Sequence, residues 1–412
     1  MKNPSTHSPT SLTVEGLTHD GRGVAKIDGK AVFVDQAIPG DRIEARITRQ
    51  HSKYDEATLL EIITPSKDRV EPFCPHYQTC GGCQLQHMSV AAQQFWKTEN
   101  FLTRLTQSVN SENCTICEPI SASDRGYRRR ARLGLAIGKK DKVAKLGFRQ
   151  KESNELVDIE SCPILSAPLN QAIQKHRPIL LEQASRNYKE LTLVEADNGV
   201  FGLNEPSGSQ PFYKLNGLKL NFPQDGFIQV NRQVNVQMVE QALDWLELQP
   251  EHRVLDLFCG VGNFTLPIAQ HVHQVTGIEG VAELVEYASD NADQNDLKNA
   301  NFHKADLFDD FRSKPWFKKQ RYQRILLDPG RQGAFEVCKQ LSHLKAEIIV
   351  YVSCNAATLI RDIQELQAQG YQLSRACMID MFPHTTHTEV MVQLRKSKKT
   401  KTRKPKRGIF KF

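Results

Sequence analysis

Apolar and polar residues alternate along residues 12–66, "LTVEGLTHDGRGVAKIDGKAVFVDQAIPGDRIEARITRQHSKYDEATLLEIITPS", between Gly, Asp and Pro turns. Period-two alternation broken at short intervals by turn residues predicts a small all-β barrel over 12–67. The next stretch, "VEPFCPHYQTCGGCQLQHMSVAAQQFWKTENFLTRL" (70–105), runs from a cysteine cluster straight into a helix with apolar or aromatic residues on one face. From about 120 to 220 the pattern is mixed and strand-rich, so residues 68–220 read as one central α+β domain. Beyond about 225 the periods alternate: "HRVLDLF" a buried strand, "NFTLPIAQHV" a helix, "HQVTGIE" a strand, "VAELVEYASDNADQN" an amphipathic helix, then "NFHKAD", "RILLDPG" and "EIIVYVSC" as further strands. That alternation predicts a mostly parallel sheet with helices on both faces over 221–395, and in such sheets ligands bind beyond the carboxyl ends of the strands.

Length and composition add bounds. Single cores rarely exceed about 250–300 residues, so 412 residues imply several domains. No stretch nears the ~18 apolar residues of a membrane span, and the start "MKNPSTHSPTS", expected disordered over 1–11, has no apolar run of the export type. A cytoplasmic chain is expected, with no membrane and no obligate protein partner. Its ten cysteines then read as thiols, metal ligands or catalytic groups rather than as disulfides. The net charge of +7 belongs to the end of the chain: "RKSKKTKTRKPKRGIFKF" (395–412) holds ten Lys or Arg and no acid, and without it the remainder carries −3. The tail from 396 is a candidate polyanion-binding arm, since each neutralised phosphate releases counterions.

"LDLFCGVGNFTLPIA" sets Asp256 at a strand end, then Gly260 and Gly262, with a helix expected to start at Asn263. A dinucleotide loop would need a glycine where Thr265 stands, and the Asp256 charge would repel a pyrophosphate. S-adenosylmethionine, an adenosine with a cationic sulfonium and no phosphate, fits better. Glu279 ends the next strand, where a carboxylate can accept both ribose hydroxyls, and Asp306 ends the third, within reach of an adenine amino group.

The fourth strand ends in "LLDPGR" and the fifth at Cys354. Enzymes that methylate exocyclic nitrogens usually carry Asn/Asp-Pro-Pro-aromatic on the fourth strand; here Gly330 and Arg331 stand there, and a thiol stands one strand over. Carbon 5 of uracil is a poor nucleophile until a thiolate adds at carbon 6, which divides one hard step into two easier ones. The carbon 5 proton must then be removed by a base, for which Glu389 in "HTTHTEVMVQL" is the candidate. Helix amides, Asn355 and Thr358 are expected to favour the Cys354 thiolate. Cys259, Cys338 and Cys377 read as packing; Cys338 lies in a helical stretch, which argues against the paired-cysteine chemistry of cytosine methylation. A non-catalytic RNA-binding factor on the same scaffold is the rival reading.

Cys74, Cys80 and Cys83 supply three soft ligands within ten residues. For the fourth, Cys114-x2-Cys117 and Cys162 compete; spacing slightly favours the CxxC pair as half of a zinc site, and does not separate zinc from iron–sulfur. In "RGYRRRARLGL" (125–135), Arg128, Arg130 and Arg132 fall on one strand face beside Tyr127, a pattern suited to a phosphate track and a splayed base. The barrel adds Arg22, Lys26, Lys30, Arg42, Arg46, Arg49 and Lys53 as a possible basic face toward RNA.

Phe258–Asn263, Asp-Pro-x-Arg at 328–331, Ser-Cys-Asn at 353–355 and Thr-Glu at 388–389 resemble, in order and spacing across 225–395, the uridine-C5 RNA methyltransferase family. The resemblance implies a multidomain α/β chain: an N-terminal OB-like barrel of the TRAM type, a central α+β iron–sulfur domain and a Rossmann-like class I methyltransferase domain. It implies Cys354 as nucleophile and Glu389 as base, with Asp328 orienting the uracil edge and counted with Gln229, Phe258, Asn263, Glu279 and Asp306 around S-adenosylmethionine. "CPHYQTCGGCQLQH" and "ESCPI" resemble the family's ribosomal members, which implies a four-iron cluster on Cys74, Cys80, Cys83 and Cys162, leaves Cys114 and Cys117 over, and implies 23S ribosomal RNA as substrate. The transfer-RNA branch is expected to lack both barrel and cluster. Two departures touch local geometry: Ala356 stands where the family commonly has Pro, and Gly330 where Pro or Ala is usual.

Overall fold

The computed structural model describes residues 8–139, 141–203, 209–318 and 320–397. The basic tail lies almost wholly outside them, as does most of the expected disordered start, although Thr10 and Ser11 already belong to the first strand.

The alternating N-terminal pattern folds into strands β1 (Thr10–Thr13), β2 (Gly16–Leu17), β3 (Gly23–Ile27), β4 (Lys30–Val34), β5 (Arg42–Gln50) and β6 (Tyr54–Thr64). They pair in the order β1-β5-β6-β4-β3-β2 around one core that includes Leu12, Val32, Val34, Ile43 and Ala45. Register shifts at three points of the β5–β6 ladder bend that pair, as bulges do. Buried Asp41 closes the end of this unit: it accepts the N–H groups of Ile38 (2.8 Å) and Ser66 (2.9 Å) and pairs with Arg69, which leads into the cysteine loop.

After helix α1 (Val90–Ser108) and the short strand β7 (Thr115–Ile116) come β8 (Arg130–Ile137), β9 (Ala144–Arg149), β10 (Leu156–Asp158), helix α2 (Ala167–Glu182), β11 (Lys189–Ala196) and β12 (Gly199–Phe201). The five strands β8–β12 form an antiparallel sheet ordered β10-β9-β8-β11-β12, and Leu169 and Ile173 of α2 pack into its core. The hairpin β13 (Phe212–Leu215) and β14 (Leu218–Asn221) precedes α3 (Arg232–Leu246), β15 (Arg253–Leu257), α4 (Thr265–Ala269), β16 (Gln274–Glu279), α5 (Ala282–Gln294), β17 (Ala300–Lys304), α6 (Pro315–Lys318), β18 (Arg324–Leu327), α7 (Phe335–Leu341), β19 (Ile348–Ser353), α8 (Ala356–Ala368), β20 (Tyr371–Ile379) and β21 (Glu389–Lys396). Their sheet runs β17-β16-β15-β18-β19-β21-β20-β7, parallel except for β21, which is antiparallel to both its neighbours. One face is covered by α3 and α4, the other by α1, α7 and α8.

The domain boundaries expected at 68 and 220 are redrawn. Helix α1 buries Phe101 and Leu105 in the same core as β18 to β20, and β7 pairs in parallel with β20 as the last strand of the large sheet. The β13–β14 hairpin likewise packs into the large sheet's core, with the Asn291 and Asn295 amides bonded to the backbone of Asn221 and Lys219. Burial of apolar stripes decides these assignments, and local periodicity does not report which core receives a stripe.

Candidate active site

The loop after β15 turns through backbone that few residues adopt. Phe258 has φ +66° and Gly260 φ +54°, with open space where a Gly260 side chain would stand. Glu279, at the end of β16, accepts N–H groups from Gly260 (3.1 Å), Gly280 (2.7 Å) and Val281 (3.0 Å), and so ties two strand-end loops together. Past β17, the exposed Asp306 accepts the Phe308 N–H at 2.9 Å, and the Phe258 and Phe308 rings lie 6.0 Å apart. Buried Gln229 accepts Arg129 Nε on its carbonyl at 2.8 Å. The Asn263 amide is engaged with protein: it exchanges two 3.0 Å bonds with Asn235 and accepts the Tyr213 hydroxyl at 3.0 Å. The helix there begins at Thr265, two residues later than the sequence suggests. Asp256 is corrected more substantially. It lies within β15, wholly buried and bonded by the Thr265 hydroxyl, and burial pushes its carboxyl up to about 8, so it gives the cofactor loop an anchor and little charge at neutral pH.

Cys354 and Glu389 meet because of strand register. Ser353 at the end of β19 pairs with Val390 of antiparallel β21, so the next residues outward, Cys354 and Glu389, leave the sheet side by side. Asp328 directly follows β18, the neighbour of β19 on its other side. Burial raises all three groups. Glu389 is pushed up to about 8, with Asp328 adding to the effect and one carboxyl oxygen left without a partner; Asp328 is pushed up to about 7. Cys354 is pushed up to about 11 by burial and by the Glu389 and Asp328 charges, against which Arg331 favours the thiolate. Asn355 and Thr358 therefore do not do what the sequence suggests. Asn355 caps α8 by accepting the Ala357 N–H, and both side chains donate to the Arg331 carbonyl, at 2.9 and 3.3 Å. They hold the loop that carries Arg331 and make no bond to the thiol. A cavity of about 240 Å³ opens on Cys354, walled by Asn100 and Arg104 of α1, Thr386–Thr388, and the barrel turn at His19. A half-buried thiol beside a carboxylate and an arginine, at the edge of a parallel sheet and two strands from a glycine loop, is an arrangement for covalent catalysis.

The family pattern described as tRNA (Uracil-5-)-methyltransferase matches residues 214–397, and that of the TRAM domain residues 11–60. The chain is 40% identical to the 23S rRNA (uracil(1939)-C(5))-methyltransferase RlmD of Vibrio parahaemolyticus, over 94% of its own length and 96% of the relative's. This chain belongs to the RlmD family. The protein of that name from Erwinia tasmaniensis is 41% identical, over 94% of this chain and 96% of that one. The tRNA (uracil-54, C5)-methyltransferase of Pyrococcus abyssi, solved with S-adenosyl-L-homocysteine, has the same fold: TM-score 0.72 at 22% identity, over 93% of this chain and 100% of that one.

In this RlmD-family chain Cys74, Cys80, Cys83 and Cys162 line one cavity of about 740 Å³, and Cys114 and Cys117 are elsewhere. Those two flank β7, each with its sulfur 3.9 Å from the Thr115 carbonyl, and do not border the cavity of the quartet. The quartet is braced from outside. Gly81 donates to the Arg149 carbonyl (3.0 Å), and the Asn170 amide of α2 both accepts the Cys162 N–H (2.8 Å) and donates to the Cys162 carbonyl (3.0 Å). Burial and the neighbouring thiols push Cys83 up to about 12, and Cys80 and Cys162 are raised for the same reasons. Among the described residues no three His, Cys, Asp or Glu side chains converge so as to hold a metal ion.

The same cavity borders Arg128, Arg130, Arg132 and Arg331. The expected stacking ring is corrected: Tyr127 is buried, with its hydroxyl on the Pro383 carbonyl at 3.2 Å, and the exposed aromatic at this cavity is Phe227. Arg130 is also spent, its guanidinium on the carbonyls of Asp225 (2.7 Å) and Gly226; Arg132 is exposed. On the barrel, Arg22, Lys26, Lys30 and Arg49 are paired with Asp20, Glu15, Asp55 and Glu56, so the basic face is weaker than expected. Sequence reasoning also missed Gln93 and Lys97. They stand with Phe101 and Leu105 at fourfold spacing on the buried stripe of α1, and a lysine within an apolar stripe was the available signal. No helix of the described residues is long and apolar enough to cross a membrane.

Proposed function

We propose that this chain methylates carbon 5 of a uridine in 23S ribosomal RNA, the type of site named for its relatives, in the cytoplasm where that RNA is made. The observation that carries the reading is the meeting of Cys354, Glu389 and Asp328 at one sheet edge, within two strands of the glycine loop. S-adenosylmethionine, when bound, supplies an electrophilic methyl group. The backbone opened by Gly260 admits it closely, the strand-end carboxylates of Glu279 and Asp306 suit its ribose and adenine, and Gln229, Phe258 and Asn263 complete the cradle. Cys354 gives up its proton to solvent, a loss that Arg331 favours, and its sulfur bonds to carbon 6 of a uracil flipped into the cavity, the electrons of the 5,6 double bond moving onto the carbon 4 oxygen as an enolate. Asp328 orients the ring edge for carbon 5, to which the bound cofactor would give its methyl group, its sulfonium sulfur leaving as a neutral thioether. Glu389, as carboxylate, then takes the carbon 5 proton; that electron pair restores the ring double bond and expels the Cys354 sulfur.

The four thiols around one cavity suit a four-iron cluster. Three clustered cysteines with a fourth that is remote in sequence is an arrangement such clusters use. The role assigned to it is structural, pinning the loops beside Arg128 and Arg132 that face RNA. A test of the chemistry is incubation with 5-fluorouridine-containing 23S RNA fragments and labelled cofactor. A denaturant-resistant complex is expected from the parent and none from Cys354→Ala; a persistent complex in the variant, or none in either, overturns the reading.

A further inference from the structure

Between the end of β20 and Glu389 the chain runs through residues 380–388 without regular structure, yet Asp380, Met381, His384 and Thr385 are almost completely buried. Irregular backbone in such a place has to find its hydrogen-bond partners in other segments. It finds them in residues 84–127. Lys97 Nζ donates to Asp380 Oδ1 (2.7 Å) and to the Phe382 carbonyl (3.1 Å). The Gln93 amide accepts the His384 N–H (2.8 Å) and donates to His384 Nδ1 (3.2 Å), and it also donates to the carbonyls of Leu85 (2.9 Å) and Met88 (2.8 Å). The N–H groups of Gln84 and Leu85, which directly follow Cys83, both donate to the His384 carbonyl, at 2.9 and 3.0 Å. His384 Nε2 reaches Asp124 at 3.1 Å.

We propose that Lys97 and Gln93 are positioning residues for the elimination step. Through Asp380 and His384 they hold the segment whose residues 386–388 wall the cavity at Cys354, and with it the carboxylate of Glu389 that follows. The inference rests on the reading of Glu389 as the base. Two features favour positioning over bulk stability. A buried Lys–Asp pair adds little net stability relative to an apolar pair of similar volume, because desolvation consumes the attraction. And the same amide of Gln93 bonds both the cysteine loop and the base-bearing segment, so the placement of one is transmitted to the other.

The elimination step offers a readout that a merely structural role would not move. Losing the base's placement leaves attack by Cys354 and methyl transfer possible and slows only the release of sulfur. In Lys97→Met, with unmodified RNA and labelled cofactor, product release is expected to fall about tenfold to a hundredfold, the range for a catalytic group misplaced by around an ångström. A covalent protein–RNA complex carrying the transferred methyl accumulates at the same time, and Lys97→Arg recovers part of the release rate. The double variant Lys97→Met with Asp380→Leu removes both charges, retains packing, and is expected to accumulate the same complex should the single variant fold poorly. If complex and product fall together in both Lys97→Met forms, the proposal is overturned. Glu389→Gln is the control: if it accumulates complex and the Lys97 variants do not, the positioning role alone fails; if it releases product at the parent rate, the assignment of the base fails.

Discussion

Cys354 keeps its proton at neutral pH because burial and two adjacent carboxyl groups all oppose the thiolate. A free-standing cysteine in the same sequence would be read as a better nucleophile than this one. The neighbours that raise the thiol are the groups the second half of the reaction requires, so the site trades ease of attack for ease of release. Glu389 acts only as carboxylate, and with its titration raised to about 8 it is mostly protonated at pH 6. Single-turnover release of methylated RNA is therefore expected to rise about tenfold per pH unit from 6 and to level above 8; a flat profile would mean that another group takes the proton. The same shift has a stability consequence of defined sign. A carboxyl whose folded value lies above its unfolded value of 4.5 stabilises below that pH, and the contribution is lost as pH rises through about 8. Glu389→Gln is accordingly expected to melt several degrees above the parent at pH 9 and close to it at pH 4, by calorimetry at both values. Cys354 itself was legible from its place after a buried strand. The work of Asn355 and Thr358 was not, since their partner, the Arg331 carbonyl, is 24 residues away from Asn355 in the chain.

Among elements, β21 matters most to the chemistry. It is the strand that runs against its neighbours, and only an antiparallel strand beside β19 brings its first residue, Glu389, next to the residue that follows β19. A parallel strand would have carried that carboxylate to the opposite edge of the sheet. Strand alternation was readable along the chain; the direction of one strand within the sheet was not. Helix α2 has a comparable role for the thiols. Its Asn170 pins the turn that presents Cys162, through bonds to the Cys162 N–H and to the carbonyls of Cys162 and Leu165. If the quartet holds the proposed cluster, Asn170→Ala is expected to purify with at most half the iron per chain of the parent while melting of the large domain changes little, measured by iron analysis and calorimetry on the same preparation. Full iron content in the variant would show that the turn holds without the amide.

At the scale of the molecule, the cysteine loop, helix α1 and the base-bearing segment form one continuous hydrogen-bonded unit between barrel and catalytic sheet. The cavity at Cys354 draws its other walls from parts of the chain far apart in sequence, among them the barrel turn at His19, α1, and residues 386–388. The sequence alone determined the classes of element, the glycine loop with its strand-end acids, the thiol, and the cysteine-rich stretch, because periodicity, backbone freedom and side-chain chemistry act over a few residues. Tertiary structure decided which cysteine shares a cavity with Cys74, Cys80 and Cys83, which core takes α1 and β7, that Tyr127 and Arg130 are spent inside the protein, and that Asp256 is an anchor of little charge. Each of these depends on desolvation and on partners tens to hundreds of residues away, and neither is set until the chain has chosen what to bury.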